Sequence, residues 1–153
     1  MQTWPSPSIP ALPGRAPGLT LFDTATGELR PSSPGEPARL YVCGITPYDS
    51  THLGHAATYT AFDLVQRMWI DAGHDVLYVQ NITDVDDPLL ERAAATGEDW
   101  EALAAREIAR FVDDMTELRL LAPDEWVSVV ESIPHVVRAI EKLLATGAAY
   151  EVD

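Results

Sequence analysis

The tightest constraint on this chain is a strand, a long helix and a second strand in immediate succession. Leu40 to Val42 reads as a short buried strand, and Val76 to Ile82 is apolar and β-branched enough to be another. Between them, residues 56–72 place Phe62, Val65, Met68, Trp69 and Ala72 at three- and four-residue steps, which predicts a helix packed on that stripe. Joined in this order, the elements imply a right-handed parallel βαβ unit. Sheets of this kind bind ligands beyond the carboxyl ends of their strands. The segments leaving those two ends, Cys43 to Thr46 and Asn81 to Thr83, are therefore expected to be neighbours in space.

The flanking sequence supplies the rest of an α/β domain. Five prolines between Pro5 and Pro17 exclude regular helix or a central strand over residues 1–18, leaving an extended arm that Trp4 and Ile9 could pin to the body. Leu19 to Phe22 and Glu28 to Arg30 flank Asp23-Thr-Ala-Thr-Gly27 and read as a hairpin. Gly73 is placed to end the first long helix. Asp87, as cap, and Pro88 open a second helix that ends by Gly97. Trp100, Leu103, Ile108, Phe111, Met115 and Leu118 share one face of a third. A fourth is predicted over residues 133–145, with Ser132 as cap, Pro134 in its first turn and Gly147 beyond its end. Residues 149–152 read as the start of a strand whose partner never arrives, so the chain is expected to be a piece of a longer protein. The expected division is an arm and hairpin over residues 1–39, then the incomplete first half of a Rossmann-like domain over residues 40–153.

Composition narrows the partners. The net charge is −14, from 24 acids against 10 bases, and Lys142 is the only lysine. Such a field repels a phosphate backbone, so no nucleic-acid surface is expected. One cysteine excludes an internal disulfide and fits a reducing compartment. No apolar run reaches membrane-spanning length, and a cytoplasmic monomer is the expectation.

Chemistry concentrates at the two strand ends. Thr51-His-Leu-Gly-His-Ala56 precedes the long helix, and a helix N-terminus offers free N–H groups and the positive end of the dipole to phosphate. His52 and His55 lie on one face, where they can donate hydrogen bonds to phosphoryl oxygens. The alternative is that one histidine caps the turn and the other is merely exposed. Gly54 removes a side chain where a ligand could approach. Cys43 could ligate zinc as a thiolate, although a lone cysteine is more often a small buried hydrophobe. Asp84, Asp86 and Asp87 suggest a divalent cation, but helix capping explains Asp87 at once and Asp86 with it, so the structural reading is preferred. Thr46, Thr58, Asn81 and Thr83 suit recognition of a small polar substrate. His74 and His135 are expected to be solvated or capping.

Together, Cys43-Gly-Ile-Thr-Pro-Tyr-Asp49, His52-Leu-Gly-His55 and Asn81-Ile-Thr-Asp-Val-Asp-Asp87 resemble the class I cysteine-activating enzymes. His52-Leu-Gly-His55 is similar to the H-I-G-H signature of class I aminoacyl-tRNA synthetases. Two families share all three blocks, the cysteinyl-tRNA synthetases and the ligases that join L-cysteine to glucosaminyl-inositol in mycothiol biosynthesis. Ile45 and Pro47 stand where the synthetases usually carry Pro and Val. His55-Ala-Ala-Thr58 replaces their Asn-Ala-Arg-Thr, and Pro88 replaces a lysine. These departures, with Trp4-Pro-Ser-Pro-Ser-Ile-Pro-Ala-Leu-Pro-Gly14 and Leu21-Phe-Asp-Thr24, favour the ligases.

The resemblance implies a truncated Rossmann-like parallel sheet with an H-I-G-H-type nucleotide site and a helical segment. It implies an ATP-dependent ligase that forms cysteinyl-adenylate and transfers it to the amine of glucosaminyl-inositol, with ATP used alongside Mg2+. By position, Cys43 would ligate zinc, which would grip the substrate thiolate. Gly44, Ile45, Thr46, Thr58, Asn81, Ile82 and Thr83 would line the adenylate pocket. His52, His55 and Thr46 would act on ATP phosphates or the activated substrate. The remaining zinc ligands and the K-M-S-K-S loop of both families do not occur in these 153 residues. The competing readings are a cysteinyl-tRNA synthetase fragment and a non-catalytic cysteine- or nucleotide-binding module.

Overall fold

A computed structural model describes residue 1 and residues 3–152. Gln2, in the expected arm, and Asp153, at the chain end, lie outside the described residues. The expected hairpin forms as β1 (Thr20–Asp23) and β2 (Glu28–Pro31), antiparallel, with Phe22 opposite Leu29. Gly27 sits in its turn at φ +70°. Then follow β3 (Ala38–Val42), α1 (Leu53–Ala72), β4 (Val76–Ile82), α2 (Asp87–Thr96), α3 (Trp100–Glu117), β5 (Glu125–Ser128) and α4 (Val129–Ala145). β3 and β4 are parallel and adjacent, as the βαβ reading requires, with Val42 opposite Gln80.

β5 is an addition to the predicted elements. It extends the sheet to the order β3-β4-β5, all parallel. Four residues are too short to show a period, yet the alternation is there: Trp126 and Ser128 are buried, Glu125 and Val127 exposed. Asp124 starts the pairing, because it donates its N–H to the Tyr78 carbonyl while its Oδ2 accepts the Tyr78 N–H, both at 2.8 Å.

One face of the sheet carries the core. Leu40, Val42, Tyr78, Ile82 and Trp126 are buried there with Tyr59 of α1 and Phe111 and Met115 of α3. Trp4 enters the same cluster. It is only 3% exposed, donates from Nε1 to the Leu120 carbonyl at 3.0 Å, and meets Phe111 and Trp126 edge-on, each at a centroid distance of 5.7 Å. The arm is thus pinned through Trp4, whereas Ile9 remains exposed.

Helix boundaries and faces differ from expectation in instructive ways. α1 begins three residues early, at Leu53, because His52 caps it. Its buried residues are Tyr59, Asp63 and Gln66. Of the predicted stripe, Phe62 is exposed, and Val65, Met68, Trp69 and Ala72 are half-buried. The polar side faces inward because Asp63 has partners there: its Oδ1 accepts the Leu121 N–H at 2.8 Å and its Oδ2 accepts from Arg67 Nε at 2.6 Å. A buried carboxylate with these bonds is tolerated where an unpaired one would not be.

In α2 the cap is Asp86 rather than Asp87, and Gly97 closes the helix at φ +66°. α3 buries Leu103, Ala104, Glu107, Phe111 and Met115, while Leu118, expected on that face, is an exposed cap. α4 starts at Val129 instead of Ile133. Its cap is Ser128, whose side chain accepts the Glu131 N–H, so Ser132 and Pro134 both fall inside the helix. Residues 148–152 form no strand: an extended segment becomes one only by pairing, and none pairs with it among the described residues. No described helix is long and apolar enough to cross a membrane.

Candidate active site at the strand ends

The two strand ends meet. The Gly44 N–H donates to Asn81 Oδ1 at 3.0 Å, and the Tyr41 hydroxyl donates to the same oxygen at 2.8 Å. One residue further on, the Thr83 N–H donates to the Ile45 carbonyl at 2.9 Å. The backbones approach so closely that a Cβ on Gly44 would lie 1.6 Å from the Asn81 carbonyl oxygen. Gly44 is therefore required by packing, and its φ is not positive. Asn81 Nδ2 donates to Thr83 Oγ1 at 3.3 Å, and Thr46 Oγ1 donates to Asp86 Oδ2 at 3.4 Å. The result is a hydrogen-bonded ledge joining β3, β4 and, through the Asp86 carboxylate, the cap of α2.

The histidine turn is built as a reciprocal cap. His52 Nδ1 accepts the Gly54 N–H at 3.0 Å, and His55 Nδ1 accepts the His52 N–H at 3.3 Å. One histidine capping the turn was the structural expectation; the second, expected then to be merely exposed, caps it as well. A neutral ring that accepts at Nδ1 carries its proton on Nε2, so each histidine keeps an Nε2–H donor for another partner. The rings stack with centroids 4.0 Å apart and planes inclined by 25°. Gly54 makes room for this, because a Cβ there would come within 2.8 Å of His52 Cε1.

Burial, and after it the neighbouring His52 charge, hold the His55 imidazole below the ordinary histidine value of 6.5. The unfolded chain then takes up that proton at higher pH than the folded chain does. Stability is complete above the ordinary value and falls as pH drops through it towards the folded value. Urea midpoints measured between about pH 7.5 and about pH 5 are expected to decline, and His55→Gln is expected to flatten that decline.

The remaining expected site residues divide by exposure. Ile45 and Ile82 are buried in the core, so at this ledge they contribute backbone. Thr58 is exposed and its hydroxyl donates back to the Gly54 carbonyl at 3.0 Å. Cys43 is exposed rather than a buried hydrophobe, and its carbonyl accepts from the Tyr59 hydroxyl at 3.2 Å. Burial, then the Cys43 charge, push the Tyr59 hydroxyl well above the usual tyrosine range, which keeps it a donor. No group of three or more His, Cys, Asp or Glu side chains with metal-binding geometry occurs among the described residues. One thiol does not make a zinc site.

Two of the three aspartates serve structure, and Asp87, expected as the cap, is instead the first residue of α2. Asp86 caps α2, and Asp84 accepts the Val130 N–H at 3.0 Å and the Ser128 hydroxyl at the start of α4. His74 lies 3.4 Å from Glu36, and exposed His135 lies 2.8 Å from Arg138. Sequence reasoning missed Tyr41 and Tyr59. The signals were available: Tyr41 alternates outward on β3, and Tyr59 lies one helical turn beyond His55.

With this geometry in view, comparison with known families is decisive. Residues 31–153 match the family described as the tRNA synthetases class I (C) catalytic domain. The chain belongs to this family. Curated relatives to which it is similar carry the name L-cysteine:1D-myo-inositol 2-amino-2-deoxy-alpha-D-glucopyranoside ligase. Those from Actinosynnema mirum and Saccharomonospora viridis are 69% and 64% identical over 153 residues, covering 100% of this chain and 37% of each relative. One from Thermomonospora curvata is 63% identical over 158 aligned residues, covering 100% of this chain and 38% of the relative. The chain spans little more than a third of the length of these relatives. An open parallel sheet flanked by helices is the α/β architecture expected of the class I family.

Proposed function

We propose that this chain carries the nucleotide-binding part of an ATP-dependent ligase that activates L-cysteine as cysteinyl-adenylate and transfers it to the amine of glucosaminyl-inositol. The observation that carries this reading is the junction of Gly44 with Asn81 beside a helix capped by two stacked histidines, in a chain so similar to ligases of that name. ATP phosphates sit at the N-terminus of α1. The Nε2–H groups of His52 and His55 donate to them, adding to the helix dipole as negative charge develops at the α-phosphorus. The ledge of Thr46, Asn81 and Thr83 holds the adenylate through neutral hydrogen bonds. The sugar amine then attacks the activated carbonyl, forming the amide and releasing AMP. Were the family's zinc bound, Cys43 would be the one ligand this chain supplies, and thiolate sulfur suits that metal.

Cysteine-dependent exchange of labelled pyrophosphate into ATP tests the reading. Protein expressed from the complete reading frame is expected to catalyse exchange, then to consume cysteine when glucosaminyl-inositol is added. The 153 residues alone are expected to show none, because their only lysine, Lys142, lies near the end of α4 and a single thiol cannot hold zinc. Exchange without transfer to the amino sugar, together with charging of tRNA, would favour the second reading, a cysteinyl-tRNA synthetase. The family description supports that alternative, and the charge of −14 opposes it.

A further inference from the structure

The two residues that lead into the histidine turn are both tied to α3. Thr51, directly before the cap His52, donates its hydroxyl to Asp114 Oδ2. Ser50 receives a hydrogen bond from Arg110 Nη1 at 3.1 Å, and its hydroxyl lies 3.5 Å from Glu107 Oε2. Glu107, Arg110 and Asp114 are three and four residues apart, hence on one side of α3. Glu107 is the odd member of a face that otherwise buries Leu103, Ala104, Phe111 and Met115. It is 3% exposed and held by Arg110 Nη1 at 3.0 Å and Arg106 Nε at 3.0 Å. An apolar residue would pack there without the cost of burying a charge, so Glu107 is explained by what it holds rather than by core packing. Packing does not fix the turn from this side either. A cavity of about 410 Å3, lined by Thr51, His52, Asp114 and Glu117 among others, lies between the start of α1 and the end of α3.

We propose that α3 sets the position of the two imidazoles: Asp114 acting through Thr51, and the Glu107–Arg110 pair acting through Ser50, are positioning residues for His52 and His55. The proposal rests on the proposed ATP role of the histidine turn. Side chains 57 to 63 residues away hold the loop in which the reciprocal cap closes and the two rings stack. A shift of the loop by about 1 Å would break the 3.3 Å bond from the His52 N–H and free both rings to change tautomer.

The test uses protein from the complete reading frame carrying Thr51→Val, Thr51→Ser or Asp114→Ala. Thr51→Val and Asp114→Ala are expected to lower kcat for pyrophosphate exchange by about 10- to 100-fold, with KM for cysteine changed less than about twofold. Thr51→Ser, which restores the hydroxyl, is expected to recover most of the rate. Nitrogen NMR of histidine-labelled protein is expected to show a single Nε2–H tautomer at both rings in the parent and a mixture in the two damaging variants. Unchanged kcat and unchanged tautomers in Thr51→Val and Asp114→Ala would overturn the proposal. So would a rate loss that only follows the folded fraction while the tautomer signature stays intact. Should Asp114→Ala fail to fold, the Thr51 pair decides alone. Absence of exchange in the parent overturns the ligase reading instead, and the NMR comparison still judges the positioning role.

Discussion

Replacing Gly44 with alanine is expected to lower the unfolding free energy by about 4 kcal/mol, a large share of the roughly 5–15 kcal/mol that holds a typical domain together. The added Cβ would stand 1.6 Å from the Asn81 carbonyl oxygen, 2.6 Å from its carbon and 3.2 Å from Ile82 Cα. All three are backbone atoms of β4, so no rotamer change relieves the clash. The end of β3 must move away, and two bonds go with it: Gly44 N–H to Asn81 Oδ1 and Thr83 N–H to the Ile45 carbonyl. Overpacking of this sort costs roughly 1–3 kcal/mol and each lost hydrogen bond about 1 kcal/mol. Urea denaturation followed by tryptophan fluorescence checks it. A loss below about 1 kcal/mol would mean that β3 and β4 do not meet at this residue.

A second large effect separates the two jobs of His52. His52→Asn is expected to leave stability within about 0.5 kcal/mol of the parent, because asparagine is among the best N-caps and can accept the Gly54 N–H in place of Nδ1. The same change removes the Nε2–H donor and the stack on His55. If that donor meets the charge developing at the α-phosphorus, pyrophosphate exchange by the complete protein should fall by about 10²- to 10³-fold. His52→Ala should lose the rate and about a further 1 kcal/mol of helix capping. Exchange reduced less than about threefold in a folded His52→Asn protein would leave the imidazole with capping as its sole role.

Much of the architecture was legible because its signals are local. β4 was expected over Val76 to Ile82 and occupies those residues, and Gly73 and Gly97 end helices in left-handed conformations that other residues rarely adopt. The meeting of Gly44 with Asn81 followed from a general property of parallel βαβ units. By contrast, β5 carries four residues, too few for periodicity, and its identity depends on the edge that β4 offers. The packed face of α1 was misjudged because apolar spacing favoured Phe62 and Val65, whereas the structure turns Asp63 inward to the Leu121 amide. Apolar periodicity does not register a buried acid whose partner lies 58 residues away.

The amino-acid order alone determined the hairpin, β3, β4 and the existence of four helices, where two strand ends must converge, and that the turn at His52-Leu-Gly-His55 leads into a helix. Each of these follows from periodicities and backbone preferences that act over a few residues. Tertiary structure alone decided that Tyr59 reaches the Cys43 carbonyl and that α3 holds Ser50 and Thr51. These are contacts between groups made neighbours by the burial of a shared core, and hydrogen bonds across sixty residues of chain leave no periodic trace along it.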